Sequence, residues 1–124
     1  MAGEIHSYRD LVAWQKAYHL GLTLHKFAGR FPDHERFVLT STLRRTAMLL
    51  ARQIAEGYGR QNRQHYVSSL RNARTTTYDL DTQLMFALGL QYASEAECNE
   101  LLSQIAECGK VLSGLIRSLE VNDA

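Results

Sequence analysis

Apolar side chains recur along this chain at spacings of three and four and never sustain an alternation of two, a pattern that predicts helices and lends strands little support. Leu39, Leu43, Ala47, Leu50 and Ile54 make one such stripe. Tyr66, Leu70, Ala73, Thr77, Leu80, Leu84 and Ala87 make an unbroken heptad seam, and Cys98, Leu101, Ile105, Cys108, Leu112, Leu115 and Leu119 make another. Ahead of them, Ala13, Ala17, Leu20, Leu24, Phe27 and Phe31 fall on one helical face.

Capping and breaking residues set the bounds. Ser7 with Asp10 three residues on has the form of a capping box, and Gly29 ahead of Phe31-Pro32 stops the first helix. Gly57 and Gly59 are expected to end the second, Asn62 to cap the third, and the Ser94-Glu95-Ala96-Glu97 box to open the fourth. The predicted helices cover residues 8–30, 36–56, 63–88 and 95–119. Connections this short favour antiparallel neighbours, and 124 residues supply one core but not two. The expected fold class is all-α: an up-down-up-down antiparallel four-helix bundle, one domain over residues 1–124.

The first helix carries more apolar surface than one place in a bundle needs. Leu11, Trp14, Tyr18 and Leu22 form a second face, and with Gly21 and Ala28 between the two the apolar arc spans about 220°, where a surface helix needs little more than about 100°. Either this helix sits deeply between its neighbours or its second face meets another subunit. The second reading makes the protein a homo-oligomer, with Leu11, Trp14, Tyr18 and Leu22 as interface candidates. Leu102, Ala106, Gly109 and Ile116 add a further apolar and small-residue stripe on the fourth helix.

Composition agrees with a globular domain, since 45% hydrophobic against 22% charged residues lies far from the signature of disorder. No stretch reaches the roughly 18 to 20 apolar residues of a membrane helix, and the N-terminus lacks the basic start and apolar run of a signal peptide. The expected location is therefore the cytoplasm. Cys98 and Cys108 share one predicted helix about 15 Å apart along its axis, too far to bridge, and suit a reducing compartment.

Net charge is only +1, but it is unevenly spread. Residues 1–35 carry four basic and four acidic side chains, residues 36–77 eight Arg against Glu56 alone, and residues 78–124 two basic against eight acidic. A basic middle reads as an anion or nucleic-acid surface, or equally as the complement of the acidic C-terminal helix or a neighbouring subunit.

Catalytic and metal-binding patterns are lacking. His6, His19, His25, His34 and His65 form no i, i+4 pair and have no carboxylate at a ligating spacing, so no metal or other cofactor is expected. Asp79 and Asp81 point in different directions from one helix, and both cysteines occupy seam positions that raise a thiol pKa. Glu56-Gly57-Tyr58-Gly59-Arg60 has the glycines of a phosphate loop but follows a helix and lacks its lysine, which makes a helix C-terminus the expected role. The arginines are the one constellation with a functional look. Arg45 and Arg52 share a face of the second helix, and Arg63, Arg71 and Arg74 lie along one side of the third with Tyr78. Together with Arg44 and Arg60 they are candidate phosphate contacts, and the interleaved aromatic could stack on a base.

Several segments carry a wider resemblance: Tyr8-Arg9-Asp10-Leu11-Val12-Ala13-Trp14-Gln15-Lys16-Ala17, Phe31-Pro32 with Glu35-Arg36-Phe37, Leu43-Arg44-Arg45, Ile54-Ala55-Glu56-Gly57-Tyr58-Gly59-Arg60, and Asp79-Leu80-Asp81-Thr82-Gln83-Leu84. In this order and spacing they resemble the four-helix bundle family known as 23S rRNA intervening-sequence proteins, over nearly the whole chain. The chain departs from the family's usual residues at Gln53, where Asn is usual, at Thr75 and Thr76 in place of Gly-Ser, and at Asp79 and Asp81 in place of two Glu. The resemblance implies a homopentamer whose bundles pack into a barrel. A related bundle, the accessory variability determinant of diversity-generating retroelements, binds nucleic acid and a reverse transcriptase, which implies an RNA or DNA partner here. The expectation is thus a non-enzymatic homo-oligomer binding RNA or DNA through its arginines. The alternative is a structural or protein-interaction scaffold whose arginines pair subunits.

Overall fold

The computed structural model describes residues 4–121; residues 1–3 and 122–124, including the very start of the segment read above for a signal peptide, lie outside the described residues. Near the N-terminus the Ser7–Asp10 capping box forms, with Asp10 accepting from the backbone N–H groups of His6 and Ser7 at 2.9 and 3.1 Å. It closes a single 3-10 turn, Tyr8–Asp10, and not the long helix predicted from Tyr8 onward. Leu11 then extends the backbone (φ −73°, ψ 126°), and the first helix, α1, runs over Val12–Ala28.

The link to the second helix is more structured than a plain turn. A 3-10 turn at Asp33–Glu35 leads into a π-helical turn, Arg36–Thr40, before α2 begins as Ser41–Gly59. The wide turn is anchored by Glu35, whose carboxylate accepts from the Leu39 N–H at 3.4 Å and from the Tyr92 hydroxyl at 2.5 Å. Phe31 packs against both Phe27 and Tyr92, with ring centroids 5.3 and 5.4 Å away. The Phe31…Glu35 segment therefore ties this end of the molecule to the loop that follows the third helix.

Gly57 does not end α2, which runs through it; Gly59 is the last helical residue, as expected. Gly57 is there for close approach: a Cβ on it would stand 2.6 Å from the Ser69 Cβ on the third helix. Arg60 caps the helix, and Gln61 after it takes a left-handed conformation (φ 55°). The third helix, α3, spans Arg63–Gly89 and is capped by the Asn62 side chain, which accepts from the His65 N–H at 3.0 Å. It ends in a Schellman arrangement around left-handed Gln91, with Tyr92 N–H donating to the Ala87 carbonyl and Gln91 N–H to that of Leu88. Ser94 then caps α4, Glu95–Val121, by accepting from the Glu97 N–H at 3.1 Å.

Four helices and no strand are thus present among the described residues. α1 packs on α2, α2 on α3 and α3 on α4, while α4 closes more lightly onto α1. Leu24, Leu43, Leu50, Ile54, Leu70, Leu80, Leu84, Ile105 and Leu112 are sealed at the centre. The predicted α4 seam slips by one position at its end: Ile116 is buried where Leu115 is only half-buried. A straight helix drifts about 20° per heptad relative to a strict seven-residue repeat, which brings the next residue inward. No helix is long and apolar enough to cross a membrane among the described residues.

Between α2 and α3 the core carries a polar seam that hydrophobic periodicity could not announce. The amide of buried Gln83 donates to the Thr46 hydroxyl at 3.0 Å and to Asp79 at 3.2 Å. Two turns away Thr76 donates to the Gln53 carbonyl oxygen at 2.8 Å. Gln53 and Thr76, far apart in the chain, thus join α2 to α3 through this bond.

Candidate functional site

The seven candidate arginines do not form one surface. Arg44 is half-buried and donates from Nε to the His25 carbonyl at 3.0 Å, placing a cation at the last turn of α1, where unpaired carbonyls concentrate negative charge. Arg45 and Arg52 do share the exposed side of α2, and Arg52 stands 3.7 Å from Glu56 in an i, i+4 pair. Arg60 sits beyond the end of α2, with Nη2 3.5 Å from the His65 ring. Arg63 and Arg71 line one small cleft with Glu120, and Arg71 binds that carboxylate directly. Arg74 and Tyr78 line the neighbouring cleft, where Arg74 reaches the Ser113 hydroxyl at 3.4 Å.

Through Arg71 part of the basic middle meets the acidic α4, one of the roles its charge suggested, and α1 supplies further cations to the same helix. Lys16 adds a pair to Glu107 at 3.8 Å, and Arg30 makes two hydrogen bonds to Glu97, at 2.5 and 3.0 Å. The Arg30 bonds hold the Glu97 carboxyl down to about 2, against the partial opposing effect of desolvation. Between these two pairs α1 and α4 stand apart over a groove of about 790 Å³ with Leu22, Phe27 and Leu101 among its lining.

Lys110, Ser113 and Arg117 are missing from the set predicted by sequence and face Arg74 across the α3–α4 cleft. Their signal was present: spacings of three and four on one helix, and two cations standing alone in an acidic stretch.

The predicted second face of α1 is partly retained. Leu11 is not on it; with the backbone extended there, its side chain turns inward and is only 8% exposed. Trp14 is half-buried, stacked on Tyr18 with centroids 4.9 Å apart and planes 8° from parallel, and meets Tyr8 edge-on. Tyr18, Leu22 and Val12 remain 43%, 46% and 56% exposed, so an apolar strip does stay outside the core.

Among the described residues no group of three or more His, Cys, Asp or Glu could hold a metal ion. Cys98 and Cys108 are free and buried, and burial lifts the Cys108 thiol to about 11, far from a reactive thiolate. Asp79 serves Gln83, while Asp81 lines the α3–α4 cleft, so the two carboxylates are not a catalytic pair.

Fold and surfaces together define a small all-α four-helix protein with many of its polar groups engaged in its own architecture, and with exposed apolar side chains and a cationic cleft besides. The chain belongs to the 23S rRNA-intervening sequence protein family, which it matches over residues 9–114. A solved structure with a similar fold is that of a protein of unknown function from the S23 ribosomal protein family of Bacteroides thetaiotaomicron VPI-5482. It superposes with a TM-score of 0.79 at 16% identity, over 86% of this chain and 96% of that one, a likeness that speaks for the fold alone. No curated protein matches the chain.

Proposed function

We propose that this protein is a non-enzymatic homo-oligomer of the cytoplasm, a pentamer of up-down-up-down bundles, that associates with RNA or DNA. The observation that carries the reading is the outer strip of α1, where Tyr18 and Leu22 stay nearly half exposed beside the Trp14 stack. A second subunit would take this surface out of water, and a repeated copy of the same contact closes into a ring. The up-down course is supported by pairs that run oppositely along neighbouring helices. Ala28 meets Thr40 while Gly21 meets Ala47, Thr46 meets Gln83 while Gln53 meets Thr76, and Arg71 meets Glu120 while Arg74 meets Ser113. The nucleic-acid part draws on exposed Arg45 and Arg52, on the cations of the α3–α4 cleft, and on the family's description.

A scaffold whose arginines, exposed Arg45 among them, pair subunits is the second reading; Arg44, Arg52, Arg60, Arg71 and Arg74 already have protein partners, which leaves fewer cations for phosphate. The two separate in one experiment: light scattering for mass and a salt series for binding of structured RNA and single-stranded DNA, on wild type and on the double variant Arg45→Ala, Arg52→Ala. Nucleic-acid binding predicts an unchanged mass and weakened, salt-sensitive binding in the variant. A scaffold predicts loss of the oligomer and no binding by either protein. A wild-type protein that is monomeric at micromolar concentration rules out both.

A further inference from the structure

Facing residues of α3 and α4 leave a cleft of about 520 Å³ with Arg74, Tyr78 and Asp81 on one wall and Lys110, Ser113 and Arg117 on the other. Its floor is low because α4 presents Ala106 and Gly109 there, two positions with almost no side chain.

The charge in this cleft is not what its surroundings predict. Residues 78–124 hold eight acidic side chains and only two basic ones, Lys110 and Arg117, and both basic ones line this cleft. Elsewhere on α4 the acids Glu97, Glu107 and Glu120 are matched to Arg30, Lys16 and Arg71. Lys110 and Arg117 have no hydrogen-bond or ion-pair partner among the described residues, and Arg74 faces them from α3 with only the neutral Ser113 hydroxyl at its guanidinium. Three cations thus converge on a concave surface with one carboxylate, Asp81. Cations kept close together without matching acids raise the local positive potential, and a hollow focuses it. An anion that enters satisfies them.

The remaining lining narrows the class of anion. Tyr78 stands in the lining 70% exposed, offering an aromatic face to a flat ring. Asp81 supplies a hydrogen-bond acceptor, which a phosphodiester, having no P–OH, cannot use but a hydroxyl or amino group can. We propose that the α3–α4 cleft is a nucleotide site: Arg74, Lys110 and Arg117 hold the phosphate, Tyr78 stacks the base, and Asp81 accepts from a sugar hydroxyl or base amino group. Where the nucleotide is part of a strand, the site rests on the nucleic-acid reading above and gives it a location; a free nucleotide has the same chemistry.

The test uses the full chain, a 12-nucleotide single-stranded RNA and AMP as probes, and two variants at exposed positions: the double Lys110→Ala, Arg117→Ala, and Tyr78→Ala. Three phosphate-directed cations give a log–log salt slope of about −2 for the RNA, or about 20-fold weaker binding at 200 mM than at 50 mM salt. The double variant is expected to flatten the slope to about −0.7 and to lose at least about tenfold in affinity at 50 mM salt. Tyr78→Ala is expected to lose about tenfold with the slope unchanged, since stacking releases no counterions. RNA bound equally well by wild type and double variant overturns the cleft while leaving nucleic-acid binding standing. AMP bound without RNA, and lost in both variants, retains the cleft for a free nucleotide and ends the nucleic-acid reading. Binding of neither probe overturns both.

Discussion

Glu97 and Arg30 meet at the junction of α1 and α4, and the pair makes a pH-dependent contribution whose sign follows from the direction of the shift. The bonds from Arg30 hold the Glu97 carboxyl at about 2, below its usual 4.5. A carboxyl whose folded pKa lies below its unfolded value stabilises the fold at any pH above about 4.5, and that stabilisation is lost as pH falls toward 2. Both side chains are roughly half exposed, so solvent screens the pair and keeps the contribution modest. Arg30→Met is expected to return Glu97 to the ordinary carboxylate range in an NMR titration and to flatten the loss of stability between those two pH values. Tyr66 illustrates the opposite case, a polar group that the fold leaves unmatched. Its hydroxyl is buried with no hydrogen bond among the described residues, and burial pushes it up to about 12. Because removing an unsatisfied buried group relieves a desolvation cost, Tyr66→Phe is expected to leave stability unchanged or raise it by up to about 1 kcal/mol in urea unfolding.

Elements differ in how much of them could be read in advance. The α3 and α4 seams were legible over most of their length because a packed helix must repeat its apolar positions every turn, and the slips from Tyr66 to Val67 and from Leu115 to Ile116 escaped. Glycine was harder, because the same residue ends helices and lets helices approach. Gly57 does the second: its missing Cβ makes room for Ser69, which no local pattern records. Gly114, in the middle of α4, has nothing within 4 Å of where a Cβ would be. Gly114→Ala is therefore expected to stabilise by about 0.5 to 1 kcal/mol through helix propensity. Gly57→Ala, despite the same propensity gain, is expected to destabilise by about 1 to 3 kcal/mol because α2 and α3 must separate. Thermal unfolding of the two variants side by side checks the contrast, and a shift in the same direction for both would contradict it.

At the scale of the whole molecule the apolar strip on α1 is one feature that a lone bundle does not account for, beside exposed Phe37, Val38, Met48 and Phe86. Replacing Leu22 with Glu places a charge where a partner subunit would press, and leaves the sealed core residues Leu20 and Leu24 untouched. The expected outcome is a folded protein of unchanged helicity whose mass falls to that of one 14.1 kDa chain in light scattering. An unchanged oligomer would move the interface elsewhere on the surface. The candidate site was read less well than the fold. Seven arginines were visible, but their directions were not: the structure sends Arg44 to a helix end, Arg52 to Glu56, Arg60 to His65 and Arg71 to the acidic face of α4, and leaves Arg45 exposed.

Sequence alone determined the number and order of the helices, the caps at Asn62 and Ser94, and nearly all of the core, because these depend on periodicity and on the few residues that can satisfy a helix end. Tertiary structure decided the rest. It turned Leu11 inward, carried α2 through Gly57, built the Gln83–Thr46 and Gln53–Thr76 seam, and brought Lys110 and Arg117 opposite Arg74. Each of these depends on which side of one helix meets which side of another, a relation between residues far apart in the chain that no local spacing encodes.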